Sequence, residues 1–145
     1  MTTENKNVEL IEELDEYYFN EEDALNIIEN FENHNDFYVD TAEGDFRFIH
    51  EDIIDTILAD ELSDDTYMLG MFNAWFIADV LNVPMDSVEK IQKAECYEAL
   101  GIMLLKHIDE VVEKYVQYDS YGQHFDRYDG GEELLSNGYY MFRVN

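Results

Sequence analysis

The sequence predicts an α+β fold, mostly helical, with a small antiparallel sheet or hairpins. Three observations carry this. Apolar residues recur at helical spacing through most of the chain, short aromatic and β-branched runs occur at Phe37-Tyr38-Val39 and Phe46-Arg47-Phe48-Ile49, and Asn137-Gly138 sits between apolar runs near the end. At 145 residues, 46% hydrophobic and 14% aromatic, the chain has the size of one ordinary domain and enough apolar material for a core.

Residues 8–18 put Leu10, Ile11, Leu14, Tyr17 and Tyr18 in one arc and Glu9, Glu12, Glu13 and Glu16 opposite, which predicts an amphipathic helix. Asn20 is the N-cap of a second helix, with Glu21, Glu22 and Asp23 set against the dipole of its first turn. Leu25, Ile28 and Phe31 face inward there, and Glu22, Glu29 and Glu32 outward. The two aromatic runs, joined by a turn-like segment over 40–45, predict a hairpin. Residues 52–62 return to helical spacing, with Ile53, Ile54, Ile57 and Leu58 inward and Asp52, Asp55 and Asp60 outward.

Ser63 or Asp64 then caps a helix over 67–81 that is apolar on most sides, the pattern of a buried central helix. Pro84 opens a short helix at its first turn, with Val88 and Ile91 as its contacts. Further helices follow over about 94–105 and 107–121, and Gly130-Gly131 breaks the chain. A terminal strand over 139–144 is expected to join the earlier hairpin in one antiparallel sheet. The reading is a single domain over 1–145: a strongly acidic part at 1–65, a helical core at about 64–121 and a C-terminal hairpin at about 133–144.

Charge is the dominant signal. The first 65 residues hold 22 Asp and Glu against Lys6 and Arg47, a net −20, and the remaining 80 carry −7 of the total −27. Like charge at this density repels itself and destabilises the compact state. Solubility asks only for a magnitude of about 2–8 in a small domain, and halophile acidity would be spread evenly with fewer large apolar residues. The expected use of the charge is to bind a basic partner. Charge near −20 matches roughly 34 Å of duplex, at one negative charge per ~1.7 Å of axis.

Other classes find little support. The chain has no Gly-rich phosphate loop and no dinucleotide fingerprint. No Glu lies three residues before His34, His50, His107 or His124, and His107 with Glu110 supplies only two ligands. Aligning Gly44 or Gly130 with the central glycine of an EF-hand loop puts Val39 or Phe125 at its first position; Gly131 puts Asp126 first but Tyr128 and Gly130 next. Cys96, beside Glu95 and Glu98, reads as a buried helix cysteine, and a single cysteine fits a reducing cytoplasm. Tyr115, Tyr118 and Tyr121, with Phe125 and Tyr128 after them, read as packing or a subunit interface rather than a base-stacking platform, because no basic groove accompanies them. The N-terminus carries no signal-peptide pattern, and no uncharged apolar run approaches the ~18 residues of a membrane span. The expectation is a cytoplasmic protein that is not an enzyme, without cofactor or metal, binding neither membrane nor nucleic acid directly.

Tyr115-Val116-Gln117-Tyr118-Asp119-Ser120-Tyr121-Gly122-Gln123, followed by Ser136-Asn137-Gly138-Tyr139-Tyr140-Met141-Phe142, resembles the end of ArdA-type antirestriction proteins, which close with a Tyr-x-x-Tyr, aromatic-Gly segment and a terminal aromatic strand. Tyr118, Tyr121 and Gly122 match that motif, and the resemblance is confined to the C-terminal third. It implies a phage- or mobile-element-encoded DNA mimic that occupies the DNA groove of a type I restriction–modification enzyme, and a homodimer. The residues expected to meet the basic nucleic-acid-binding host protein are Glu9, Glu12, Glu13, Glu16, Glu21, Glu22, Glu29, Glu32, Asp36, Asp40, Glu43, Asp45, Asp52, Asp55, Asp60, Asp64 and Asp65. The alternatives are inhibition of a CRISPR effector or another nucleic-acid-binding host protein, and an acidic adaptor that binds a basic protein outside its DNA groove.

Overall fold

A computed structural model describes residues 3–145, with side chains from Asn7 onward. Among the described residues the chain is 57% helical, with nine helices and one four-stranded antiparallel sheet, the α+β class expected. In order these are α1 (Thr3–Glu16), α2 (Glu21–Asn33), β1 (Asp36–Thr41), β2 (Gly44–His50), α3 (Ile54–Ser63) and α4 (Thr66–Leu69). There follow α5 (Ala74–Leu81), α6 (Met85–Lys93), α7 (Tyr97–Leu105), α8 (Ile108–Asp119), α9 (Gly122–Phe125), β3 (Glu133–Leu134) and β4 (Tyr139–Arg143). They form two compact units, one of Met1–Ile54 with Ser120–Asn145 and the other of Asp55–Asp119.

In the first unit the sheet order is β1-β2-β4-β3. The terminal strand joins the early hairpin, pairing Phe48 with Met141 and Ile49 with Tyr140. Leu10 and Leu14 of α1 and Ala24, Ile27 and Ile28 of α2 bury with Phe37, Val39, Phe46 and Phe48. Phe37 and Phe48 stack with ring centroids 5.1 Å apart, and Phe31 meets Phe48 edge-on at 5.6 Å. The Tyr139 hydroxyl donates to the His34 carbonyl at 2.5 Å, fixing the end of α2 against β4.

Two inward assignments are corrected here. Tyr18 leaves the helix, turns left-handed at φ +70° and is 80% exposed, while Phe19 takes the buried place. Leu25 is 49% exposed, because the buried face of α2 centres on Ala24, Ile27 and Ile28, about 50° round the helix from the arc expected. The Asn20 N-cap holds as expected, its side-chain oxygen accepting the Asp23 N–H at 2.8 Å.

In the second unit the helix expected over 67–81 is two helices, α4 and α5, separated by residues 70–73. Gly70 and Gly101 mark a close backbone approach between α4 and α7 beside this break. A Cβ on Gly70 would fall 1.8 Å from the Tyr97 carbonyl oxygen, and one on Gly101 1.6 Å from that of Thr66, so both contacts require glycine. Gln92 Nε2 donates to the Gly70 and Phe72 carbonyls at 3.0 and 2.8 Å, satisfying the freed backbone. Nor is the segment buried throughout: Phe76, Ile77 and Val80 are, but Tyr67, Met68, Met71 and Trp75 are 41–54% exposed. The cap of α4 is Asp65, which accepts the Met68 N–H at 3.0 Å, not Ser63 or Asp64. Pro84 is the N-cap residue of α6 rather than its first turn. The helix expected from Ala94 begins at Tyr97, because Glu95 adopts φ +59°. Cys96 consequently sits exposed at its start, not buried within it.

Candidate acidic interaction surface

Folding redistributes the charge that the linear sequence concentrates at its start. The first unit holds 21 Asp and Glu against four Lys and Arg, a net −17 over 80 residues; the second holds 14 against four, a net −10 over 65. The C-terminal segment brings Asp126, Asp129, Glu132 and Glu133 into the first unit. They lie outside the acidic segment expected over 1–65, and the pairing of the terminal strand with the hairpin is what carries them there.

Of the seventeen nominated carboxylates, thirteen lie in the first unit and Asp55, Asp60, Asp64 and Asp65 in the second. On α1, Glu9, Glu12 and Glu16 are exposed, as is Asp15, which was not nominated. At 1.5 Å rise per residue, the exposed carboxylates Glu9, Glu12, Asp15 and Glu16 follow one another at rises of about 4.5, 4.5 and 1.5 Å, a mean near 3.5 Å along the axis. The phosphates of one DNA strand rise by about 3.4 Å. Glu13 is half-buried and differently employed: its carboxylate accepts the Ser136 N–H at 2.9 Å and hydroxyl at 2.6 Å, tying α1 to the β3–β4 turn. On α2, Glu21, Glu22, Glu29 and Glu32 are exposed and, at 100° per residue, share one face with Leu25 at its middle.

The hairpin carboxylates do structural work. Asp36 forms a bidentate pair with Arg47, at 2.9 Å to Nε and 2.8 Å to Nη2. The Arg47 guanidinium is buried between the Tyr38 and Phe125 rings, 5.1 Å from each centroid. Asp40 and Asp45 face each other across the hairpin. Hydrogen bonding to Asp45, then repulsion by it, raises the Asp40 carboxyl above its ordinary range. Asp45 also takes the Asn145 side-chain amide and gives its N–H to the Asn145 side-chain oxygen at 2.7 Å. Asp23 accepts the Ala42 N–H at 3.1 Å. Glu43 is exposed at the hairpin turn, and Asp52 is exposed 3.6 Å from His50 Nδ1. In the second unit Asp55, Asp60 and Asp64 are exposed and Asp65 serves as the cap described above.

Asp126, the residue that opened the best calcium-loop alignment, has its oxygens committed to the backbone. Oδ1 accepts the N–H of Tyr128, Asp129 and Gly130, and Oδ2 that of Arg143 at 2.9 Å. Burial raises its pKa, but these four donors outweigh it and hold the carboxyl below the ordinary 3.8. Among the described residues no three His, Cys, Asp or Glu side chains are placed to share a metal ion. The tyrosine series divides: Tyr115 is buried, Tyr118 is half exposed and edge-on to Trp75, Tyr121 packs on Tyr140, Phe125 on Phe142, and Tyr128 is 64% exposed.

Cationic relief of this surface is sparse. In the first unit Arg47 is buried with Asp36, and Arg143 donates to the Asn145 and Glu43 carbonyls at 2.7 and 2.6 Å, which leaves Arg127 exposed among the described residues. No helix among the described residues is long and apolar enough to cross a membrane. Fold and surface together define a class, an acidic α+β protein with rows of exposed carboxylates on two adjoining helices. Comparison with protein-family models, with curated proteins and with solved structures gives no match.

Proposed function

We propose that this chain is a non-enzymatic DNA mimic that occupies the nucleic-acid-binding groove of a basic host protein. The observation that carries the reading is the row of exposed carboxylates on α1, whose linear charge density is close to that of one DNA strand and which no lysine or arginine interrupts between Glu9 and Glu16. Its partner is expected to be a host defence protein in the cytoplasm. A type I restriction–modification enzyme is the leading target on the C-terminal resemblance, and a CRISPR effector is the next, because its channel is equally basic. In this reading the exposed glutamates of α1 and α2 lead the contact. Asp36, Asp45, Asp65 and Glu13 support the fold instead.

Duplex competition tests it. The chain is used to capture a basic partner from host lysate at low salt, and elution by salt is compared with elution by duplex DNA. A mimic and the duplex exclude one another. An adaptor bound outside the groove gives a stable ternary complex, and that result refutes the proposal.

A further inference from the structure

Beside the carboxylate rows, the first unit has an open cleft of about 350 Å³. Tyr17 and Tyr18 from the end of α1, Phe46 of β2 and Tyr128 from the loop after α9 line it, together with Asp129 and Glu133. Glu133 accepts the Tyr17 hydroxyl at 3.1 Å. One guanidinium already sits against these walls: Arg143 lies 4.1 Å over the Tyr128 ring and 5.8 Å from that of Phe46. Backbone oxygens of Asn145 and Glu43 hold it there, and Asp129 Oδ1 accepts the Gly131 N–H at 2.9 Å, so Asp129 Oδ2 and Glu133 Oε1 are left to other donors. Tyr18 is the unusual wall. A left-handed φ of +70° is strained for tyrosine, and the ring, 80% exposed, recovers little by burial.

We infer that this cleft receives an arginine side chain of the basic partner, its guanidinium stacking on Tyr18 while Glu133 and Asp129 accept its hydrogen bonds. The inference rests on the functional reading above and deepens it, by adding a shape-selective anchor to a surface that otherwise reads only charge. Arginine is favoured over lysine for three reasons. A planar, weakly hydrated guanidinium stacks on aromatic faces, its fork matches carboxylates, and an ammonium keeps more of its water. A nucleobase would find the same rings but would bring its phosphate to a unit of net −17.

The test uses the whole chain and two probes, acetyl-Gly-Arg-Gly-amide and its lysine counterpart, titrated at one ionic strength and followed through the tyrosine ring resonances. The arginine peptide is expected to bind about fivefold more tightly, the factor that about 1 kcal/mol of cation–π stacking gives. Tyr18→Gly, which suits the left-handed backbone and so keeps the fold, is expected to abolish that preference. Equal affinity for both peptides, or an undiminished preference in Tyr18→Gly, overturns the inference. The duplex competition separates this from the functional reading. Arginine preference together with a ternary complex retains the cleft and removes the mimic; duplex exclusion without arginine preference does the reverse.

Discussion

Replacing Glu9, Glu12 and Glu16 of α1 by Gln is expected to make the protein more stable and a weaker binder. Glu13 is spared because its carboxylate holds Ser136. The pairs Glu9/Glu13 and Glu12/Glu16 lie one turn apart, and like charges at that spacing cost roughly 0.2–0.5 kcal/mol each. Glu16 ends the helix, whose last turn carries no base, so its charge adds about 0.3 kcal/mol against the dipole. Gln and Glu have nearly equal helix propensity, so the gain, about 1 kcal/mol, is electrostatic. For a chain of this length that raises Tm by roughly 4 °C. The assay is thermal unfolding followed by circular dichroism at low salt and again at ~1 M, where a Debye length of about 3 Å removes most of the repulsion. A triple variant with unchanged or lower Tm at low salt, or with a gain that persists at high salt, refutes the reasoning: the row would then not be held against the fold's own interest.

Four further outcomes follow from the packing and the titrating groups. Gly101→Ala drives a Cβ into the Thr66 carbonyl and is expected to cost about 3 kcal/mol or more, read by urea unfolding. Asp36→Ala removes the bidentate partner of the buried Arg47 and is expected to cost about 3 kcal/mol, the lower end for a broken buried pair because Asp36 is itself partly exposed; Asp36→Thr with Arg47→Val recovers most of it. Asp126 is depressed in the folded state, so its contribution is present above the ordinary 3.8 and lost as pH falls through the folded value; the stability gap between the parent and Asp126→Ala should begin to narrow below about pH 4. Asp40 is raised, so the sign reverses: Asp40→Asn is expected to stabilise at neutral pH, with the benefit vanishing as acid protonates the parent's carboxyl.

Most elements were legible because their signals are local. Asn20 capped as expected, Asn137-Gly138 turned the last hairpin, and the alternating aromatic strands found their partners. The failures have a common physical origin in tertiary contact. Nothing local separates Gly70 from a tolerated helix glycine; only the approach of Tyr97 makes it obligatory. Leu25 has the hydrophobicity of a core residue, and its exposure is decided by where Ala24, Ile27 and Ile28 meet the sheet. Cys96 was placed inside a helix whose start the left-handed Glu95 moves past it.

The acidic surface was legible as a sum but not as a list, and the difference lies in side-chain length. An aspartate carboxylate sits close enough to the main chain to accept nearby N–H groups, which is why Asp favours caps and turns. Asp23, Asp45, Asp65, Asp126 and Asp129 are engaged by backbone N–H groups or by a terminal side chain, and Asp36 by Arg47. Glutamate on a helix reaches outward instead, beyond its own backbone donors. The exposed glutamates Glu9, Glu12, Glu16, Glu21, Glu22, Glu29 and Glu32 project their charge from rigid helices into solvent. Among these residues the labour is divided: the engaged aspartates, with Glu13, satisfy donors that the fold would otherwise leave open, and the exposed helix glutamates supply a field the fold does not need. A partner that selects for charge acts on the second group, so Glu→Gln changes at the exposed positions of α1 and α2 should weaken binding in a graded way without loss of stability, whereas Asp→Asn at the engaged positions should lose stability before binding.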